Sequence, residues 1–290
     1  MVNTIVAPPA VLHSALEVWF IQNSVFGGVS ITLDLHANQI RGKTVVYLDY
    51  DLNPATIDLL STNDNRIIVY HLGDETAIKD RKSYSSVDMV LRNYYFEHII
   101  NEQNPNVHWV PNGYRSGLGP RDSASLKTTN QRPMLASFLG WTANSKSFNN
   151  ERFDFGQAAK RCGQDLYMNE TSGFAQGFNI SLYAAVLENS VFCPCPAGNS
   201  PETIRLYDAL EAGAIPIMLD HRFLHIANPY QSPPFPILGS WAELPHFLAD
   251  ARSKMSAQSR YFFEMQRATT VWWKSLTERA KHSARLIITD

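Results

Sequence analysis

Cysteine is scarce in this chain, three in 290 residues. That small, odd number excludes a disulfide-stapled scaffold and a thiolate metal cluster, both of which need more sulfur. Cys193 and Cys195 stand two apart on an expected strand and so face the same way. With Cys162 they are expected to be buried free thiols. An excess of either charge is also missing. Lys and Arg number 25 against 27 Asp and Glu, a net charge of −2, so no basic field advertises a nucleic-acid partner. No apolar run reaches the ~18 residues of a membrane span. Met1-Val2-Asn3-Thr4 carries neither the basic region nor the apolar core of a signal peptide, so the expectation is a cytoplasmic protein with no membrane partner. Internal repeats, low-complexity tracts and coiled-coil heptads are absent. The sequons at Asn169 and Asn179 carry no meaning without secretion.

What is present is a globular composition, 44% hydrophobic and 18% charged, in a chain long enough for two domains. Buried-strand runs stand at 44–48, 66–70, 87–91 and 106–110, with helical spacing over 12–22, 54–60 and 96–102. Strand–helix–strand order predicts a parallel sheet. The polar stretch 114–133 reads as a flexible connection. A second α/β unit follows, with strands at 133–141, 166–168 and 235–238 and helices at 149–162, 180–189, 241–251 and 258–285.

The most informative segment is 192–217. It reads as strand, polar loop, capped helix, glycine stop and second strand. Ser200 suits an N-cap, Pro201 the first helical position, and Gly213 the end, with Pro216 beyond it. Such a loop and helix N-terminus can hold a diphosphate on free N–H groups, and Arg205, one turn inside, can add a charged fork. Glu211 stands near the helix end as an acceptor for sugar hydroxyls. The plain alternative is an ordinary capped helix with Arg205 in a surface pair.

The run Phe192-Cys193-Pro194-Cys195-Pro196, followed by Thr203, Arg205, Leu206, Asp208, Ala209, Leu210, Ala212, Gly213, Ile215, Pro216 and Ile217, resembles the signature of exostosin-like (GT47-type) glycosyltransferases. Thr203 replaces the usual serine and Asp208 the usual glutamate. The Asn199-to-Thr203 form is similar to the ribitol-phosphate xylosyltransferase branch and to exostosin-like xylosyltransferases of large algal viruses. The resemblance runs from about 66 to 275 and is strong at 190–217. It implies an α/β GT-B fold, two Rossmann-like domains facing across a cleft: residues 1–114 on the acceptor side, with helix 268–290 packing back on them, and residues 115–267 binding the nucleotide sugar. It also implies an inverting transfer of a sugar, xylose first, from a UDP-sugar to a glycan hydroxyl. The product linkage is then β, with one carboxylate base, no cofactor and no metal. A viral source would place the enzyme in a host cytosol.

Transfer requires a neutralised diphosphate and a deprotonated acceptor hydroxyl. For the first, the expected residues are Arg205 with Asn199, Ser200 and Thr203, then Arg152 in a loop–arginine element, with Arg115 reaching from the cleft floor and Glu211 on the ribose. Lys146 is a loop lysine that solvation explains as well. For the base, carboxylates just past a strand's C-terminal end occupy the usual ligand edge of open α/β sheets. Asp74 is the first choice there and Glu75 the second, while a helix-capping role for Asp74 stands equally open. His71, Arg92 and Asn93 are expected to line the acceptor cleft. Asp49-Tyr50-Asp51 spells D-x-D, which supports a rival: a metal-dependent GT-A-like transferase. A retaining enzyme with paired glutamates fits less well, since Glu202 and Glu211 are nine apart rather than eight. A third possibility is a non-catalytic glycan-binding protein on a transferase fold.

Overall fold

The computed structural model describes residues 2–101, 103–173, 176–227 and 232–289. The chain divides into two compact units, Met1–Ser116 with Thr277–Asp290, and Gly117–Leu276.

The first unit is built on strands β1 (Thr4–Ala7), β2 (Ile31–Leu33), β3 (Thr44–Asp49), β4 (Arg66–His71), β5 (Met89–Arg92) and β6 (Val107–Trp109), with helices α1 (Pro9–Ser14) and α2 (Pro54–Thr62). The sheet is parallel, in the order β2-β1-β3-β4-β5-β6. Val6, Val45, Tyr47, Val69 and Val90 on one face pack against Ile57 and Leu60 of α2. Both faces are apolar, as a parallel sheet requires. In α2, Asn53 Oδ1 accepts from the Ala55 N–H and Pro54 fills the first position. Register aligns the C-terminal ends: Asp49 pairs with His71, His71 with Arg92 and Arg92 with Trp109. One row of polar side chains therefore crosses that edge.

β1 is absent from the sequence reading, yet it sits inside the sheet, with Ile5, Val6 and Ala7 fully buried. The helix expected over 12–22 is broken: α1 stops at Ser14 and Ala15 is extended at ψ 118°. Glu17 sits in that break, before a wide helical turn at Phe20–Val25. The helix expected over 96–102 is reduced to turns at 97–99, and Glu102 lies outside the described residues.

The second unit contains β7 (Met134–Gly140), α3 (Glu151–Ala159), β8 (Leu166–Glu170), α4 (Ile180–Glu188), β9 (Ser190–Pro194), α5 (Ile204–Glu211), β10 (Ile215–Leu219), α6 (Arg222–Ala227), β11 (Ile237–Leu238) and α7 (Leu244–Met255). Its sheet is also parallel, in the order β11-β10-β9-β7-β8. The long helix α8 (Ser259–Thr289) has residues in both units, the division falling after Leu276.

α5 starts at Ile204 with Thr203 at the N-cap, three residues later than Ser200 predicts. Ser200 Oγ instead accepts from the Glu202 N–H, a local turn. The stop falls where expected: Gly213 is left-handed at φ +70°, and Gly213 and Ala214 N–H groups bond back to Leu210 and Ala209 carbonyls. The stretch read as a flexible connection is instead built into this unit. Arg132 ties it down by donating to the carbonyls of Lys127, Leu187, Ser190 and Ala212, the second and fourth of which end α4 and α5. All three cysteines are free and buried, as expected for this residue type.

Candidate functional site

Each sheet has a point at which its strand order reverses, between β1 and β3 in the first unit and between β7 and β9 in the second. Ligands bind outside the C-terminal strand ends at such points. In the second unit Arg152 and Arg205, on the helices that follow β7 and β9, flank that point.

In the second unit the loops after β7 and β9 are joined to each other. Asn144 Nδ2 donates to Asn199 Oδ1 at 3.1 Å, the Phe148 N–H to the Gly198 carbonyl at 2.7 Å, and Arg152 Nε to the Ala197 carbonyl at 2.9 Å. Arg152 Nη1 also reaches the Trp141 carbonyl at 3.1 Å. Beneath them the Phe138 ring of β7 carries two guanidiniums, Arg205 at 4.2 Å and Arg152 at 5.8 Å from its centroid. Arg205 lies over Gly140, where a Cβ would collide with Nη2.

Arg205 is 6% exposed, and its Nε and Nη1 are buried with no hydrogen-bond partner. A charged donor in that state costs more than the 1–3 kcal/mol of a neutral one. Arg152 is pushed down to about 9, first by burial and then by the charge of Arg205. The nearby carboxylates are engaged elsewhere. Glu151 accepts from the Ala197 N–H and Trp241 Nε1, with His221 Nε2 at 2.9 Å but out of hydrogen-bond alignment. Glu202 accepts from the Tyr207 hydroxyl and Asp208 from the Tyr183 hydroxyl. A half-buried guanidinium thus stands beside a buried one of like charge that has open donors, an arrangement whose chemistry suits an anion.

Other expected residues of this unit are placed differently. Glu211 is buried with both oxygens accepting, from the Arg121 N–H and from Trp273 Nε1 at 2.7 Å, and burial raises its pKa. Its carboxylate serves its own unit's packing rather than an open edge. Thr203 is buried and makes no cap bond, Ser200 is buried, and Lys146 is exposed. Arg115 is half-buried in the first unit.

In the first unit the residue expected as the base, Asp74, is engaged within its own unit. Asp74 is 2% exposed, and its Oδ1 accepts from the Ile78 and Lys79 N–H groups while Oδ2 takes Arg92 Nη2 at 3.1 Å. It is the cap of its loop and the counter-ion of a buried arginine. Arg92 is fully buried and points inward, not into a cleft. His71 is also internal: Nε2 donates to the Tyr50 carbonyl, so Nδ1 accepts from the Tyr84 hydroxyl at 2.6 Å. Burial, then the Arg92 charge, pushes its pKa down to about 4, so it stays neutral. Asn93 is buried, accepting from the Gly73 N–H and donating to Glu17 Oε1 at 3.1 Å. Glu75 is half-buried and accepts from the Tyr94 hydroxyl at 3.1 Å. Glu17, unmarked by any motif, is a buried carboxylate on this edge that pattern reading did not single out.

The D-x-D alternative does not fit its residues. Asp49 accepts from the Tyr47 hydroxyl and the Tyr50 N–H, both at 2.7 Å, and Asp51 pairs with Lys79. A divalent cation would have to displace all of these. Among the described residues no cluster of three or more His, Cys, Asp or Glu side chains is arranged to hold a metal, and no helix is long and apolar enough to cross a membrane.

Comparison with known proteins follows the same line. No curated protein matches this chain in sequence. Among solved structures, the chain is similar to Anabaena Alr3699/HepE in complex with UDP, with TM-score 0.52, 7% identity, and coverage of 98% of this chain and 99% of that one. It is similar to an alpha,alpha-trehalose-phosphate synthase (UDP-forming) from Burkholderia vietnamiensis, with TM-score 0.51, 10% identity, and full coverage of both. The pneumococcal O-GlcNAc transferase GtfA in complex with UDP and GlcNAc is matched at TM-score 0.49 and 10% identity, over 89% of this chain. The chain spans 60% of the length of GtfA. The likenesses above 0.5, with the two parallel sheets, establish a GT-B fold and overturn the GT-A alternative. The family model described as Exostosin GT47 domain matches residues 92–255, more than half of the chain and including the whole Arg152–Arg205 site. The chain therefore belongs to the exostosin GT47 family.

Proposed function

We propose that this protein is a glycosyltransferase that takes its sugar from a nucleoside-diphosphate donor, with the diphosphate held on Arg205 and Arg152. The observation that carries the reading is the pair of open donors on the buried Arg205, beside a second guanidinium. A diphosphate supplies the missing acceptors and the missing negative charge. It gains most charge as the sugar leaves, so the same contacts favour the transition state over the bound donor. Phe138 fixes the guanidinium planes, and Gly140 leaves them room. The structural relatives of like fold are named for UDP, which makes a UDP-sugar the first donor to test. Resemblance at 190–217 to the xylosyltransferase branch makes xylose the first sugar. The acceptor is then a glycan hydroxyl. We read the transfer as a single inverting displacement giving a β linkage, with the arginines meeting the diphosphate charge.

Calorimetric titration of UDP, followed by NMR of a panel of UDP-sugars with and without EDTA, tests this. UDP binding that Arg205→Ala lowers about 10- to 100-fold, a loss of ~1.5–3 kcal/mol, with selective turnover of UDP-xylose, supports the reading. Equal UDP affinity in the variant removes the diphosphate from this site. Turnover of another sugar replaces xylose, and UDP binding without turnover of any donor favours a binding protein.

A further inference from the structure

We propose that Glu17 is the general base, the group that takes the proton from the acceptor hydroxyl. The proposal rests on the transferase reading above and deepens it. Glu17 lies in the break after α1, and its hydrogen bond with Asn93, the residue just past β5, places it at the C-terminal edge of the sheet. Tyr50 stands just past β3, and β1 and β3 flank the point at which the first sheet reverses its order. The first unit's ligand edge is therefore centred on these two residues.

The surroundings hold this carboxylate in place without neutralising it. Asn93, after β5, donates to Oε1, and its own Oδ1 is fixed by the Gly73 N–H. Gly73 is left-handed at φ +65°, and a Cβ there would strike the Tyr50 ring, so Tyr50 packs flat on the backbone beside Glu17. The titratable groups facing Glu17 are Tyr50 and Glu75, neither of them a cation. Glu17 takes its hydrogen bond from the neutral Asn93 amide, whereas Asp74 on the same edge is bound to Arg92. Burial, with the Glu75 charge adding to it, raises the Glu17 pKa to about 7. Near neutral pH a group so placed has both its proton-accepting form and enough basicity to act.

In the step, an oxygen lone pair of the acceptor hydroxyl forms the new bond to the anomeric carbon. The bond from that carbon to the diphosphate oxygen breaks, and its electron pair leaves with the nucleoside diphosphate. The hydroxyl proton passes to Glu17, which ends as a neutral carboxylic acid and returns the proton to water. Asn93 is a positioning residue.

The test uses the full chain, UDP-xylose and other UDP-sugars with water as the acceptor, and pH 5 to 9. Wild-type turnover is expected to rise with pH through about 7. Glu17→Gln is expected to lose about 10²- to 10⁴-fold in turnover, keep its UDP affinity and lose the inflection. A variant with turnover near wild type, or with the inflection retained, overturns the proposal and leaves the transferase reading standing. Wild-type protein that turns over no UDP-sugar overturns both. If Glu17→Gln fails to fold, Glu17→Asp replaces it: the shorter arm lowers kcat at unchanged UDP affinity, and an unchanged kcat contradicts the assignment.

Discussion

Arg205 lies with its guanidinium carbon 4.2 Å from the centroid of the Phe138 ring, buried, with Nε and Nη1 unmatched by any protein acceptor. The ring holds the cation by its face but supplies no hydrogen-bond acceptor. A fold that leaves such a group open gives up stability at that point, and in the function proposed above the donor diphosphate compensates for it. This relationship organises the predictions on the second unit.

Gly140→Ala should displace Arg205 without removing its charge, because the new Cβ meets Nη2 at the far end of the side chain. The expected outcome is a fall in UDP affinity of about tenfold, the loss of one charge-assisted bond, with a lowered melting temperature, since the added side chain strains the backbone and crowds a buried guanidinium. Unchanged affinity would mean that the guanidinium can move and still bind.

Asp74→Asn separates capping from catalysis. The amide keeps an acceptor for the Ile78 and Lys79 N–H groups but loses the charge that faces Arg92. Breaking a buried pair costs about 3 kcal/mol or more, so denaturant unfolding should show a less stable protein. A variant of wild-type stability that has lost turnover would return Asp74 to the role of base.

Glu17 gives a pH dependence of stability. Its folded pKa, about 7, stands above the ordinary 4.5. The fold therefore favours the protonated form. The associated stability is present in full below about pH 4.5 and is lost as pH rises through about 7. Glu17→Gln removes this dependence and should be more stable than wild type at pH 8, by up to about 3 kcal/mol. Unfolding at pH 5 and pH 8 checks the sign. A glutamine variant less stable than wild type at pH 8 would mark Glu17 as a structural residue.

Arg132→Met should weaken the second unit. Four carbonyls lose their donor, two of them at the buried ends of α4 and α5. A loss of about 3 kcal/mol is expected from denaturant unfolding, with UDP affinity intact in the folded fraction. Stability equal to wild type would show that water replaces the arginine.

Much of the second unit was legible because its signals are local. Gly213 ends α5 since only a residue at ease with positive φ forms that stop, and Arg205 stands out as a charge inside an apolar run. The start of α5 was misplaced because Ser200 and Pro201 form a good cap in sequence, while the loop needs those residues for its own turn at Glu202. The first unit was harder to read. β1 is four residues long, ends at Pro8-Pro9 and leaves little periodicity to detect. Glu17 occupies a polar position in what reads as a continuous amphipathic helix, and only the break at Ala15 turns it inward. Asp74 satisfies the sequence rule for a ligand-edge carboxylate. What the rule does not contain is Arg92, eighteen residues away, which the register of β4 and β5 brings beside it.

The most direct measurement is calorimetric titration of UDP into wild-type protein and Arg205→Ala under identical conditions, with thermal unfolding of both as a check of folding. The account predicts that wild type binds UDP and that the variant folds but binds about 10- to 100-fold more weakly. A folded Arg205→Ala that binds UDP as tightly as wild type, or a wild type that does not bind UDP, would contradict it.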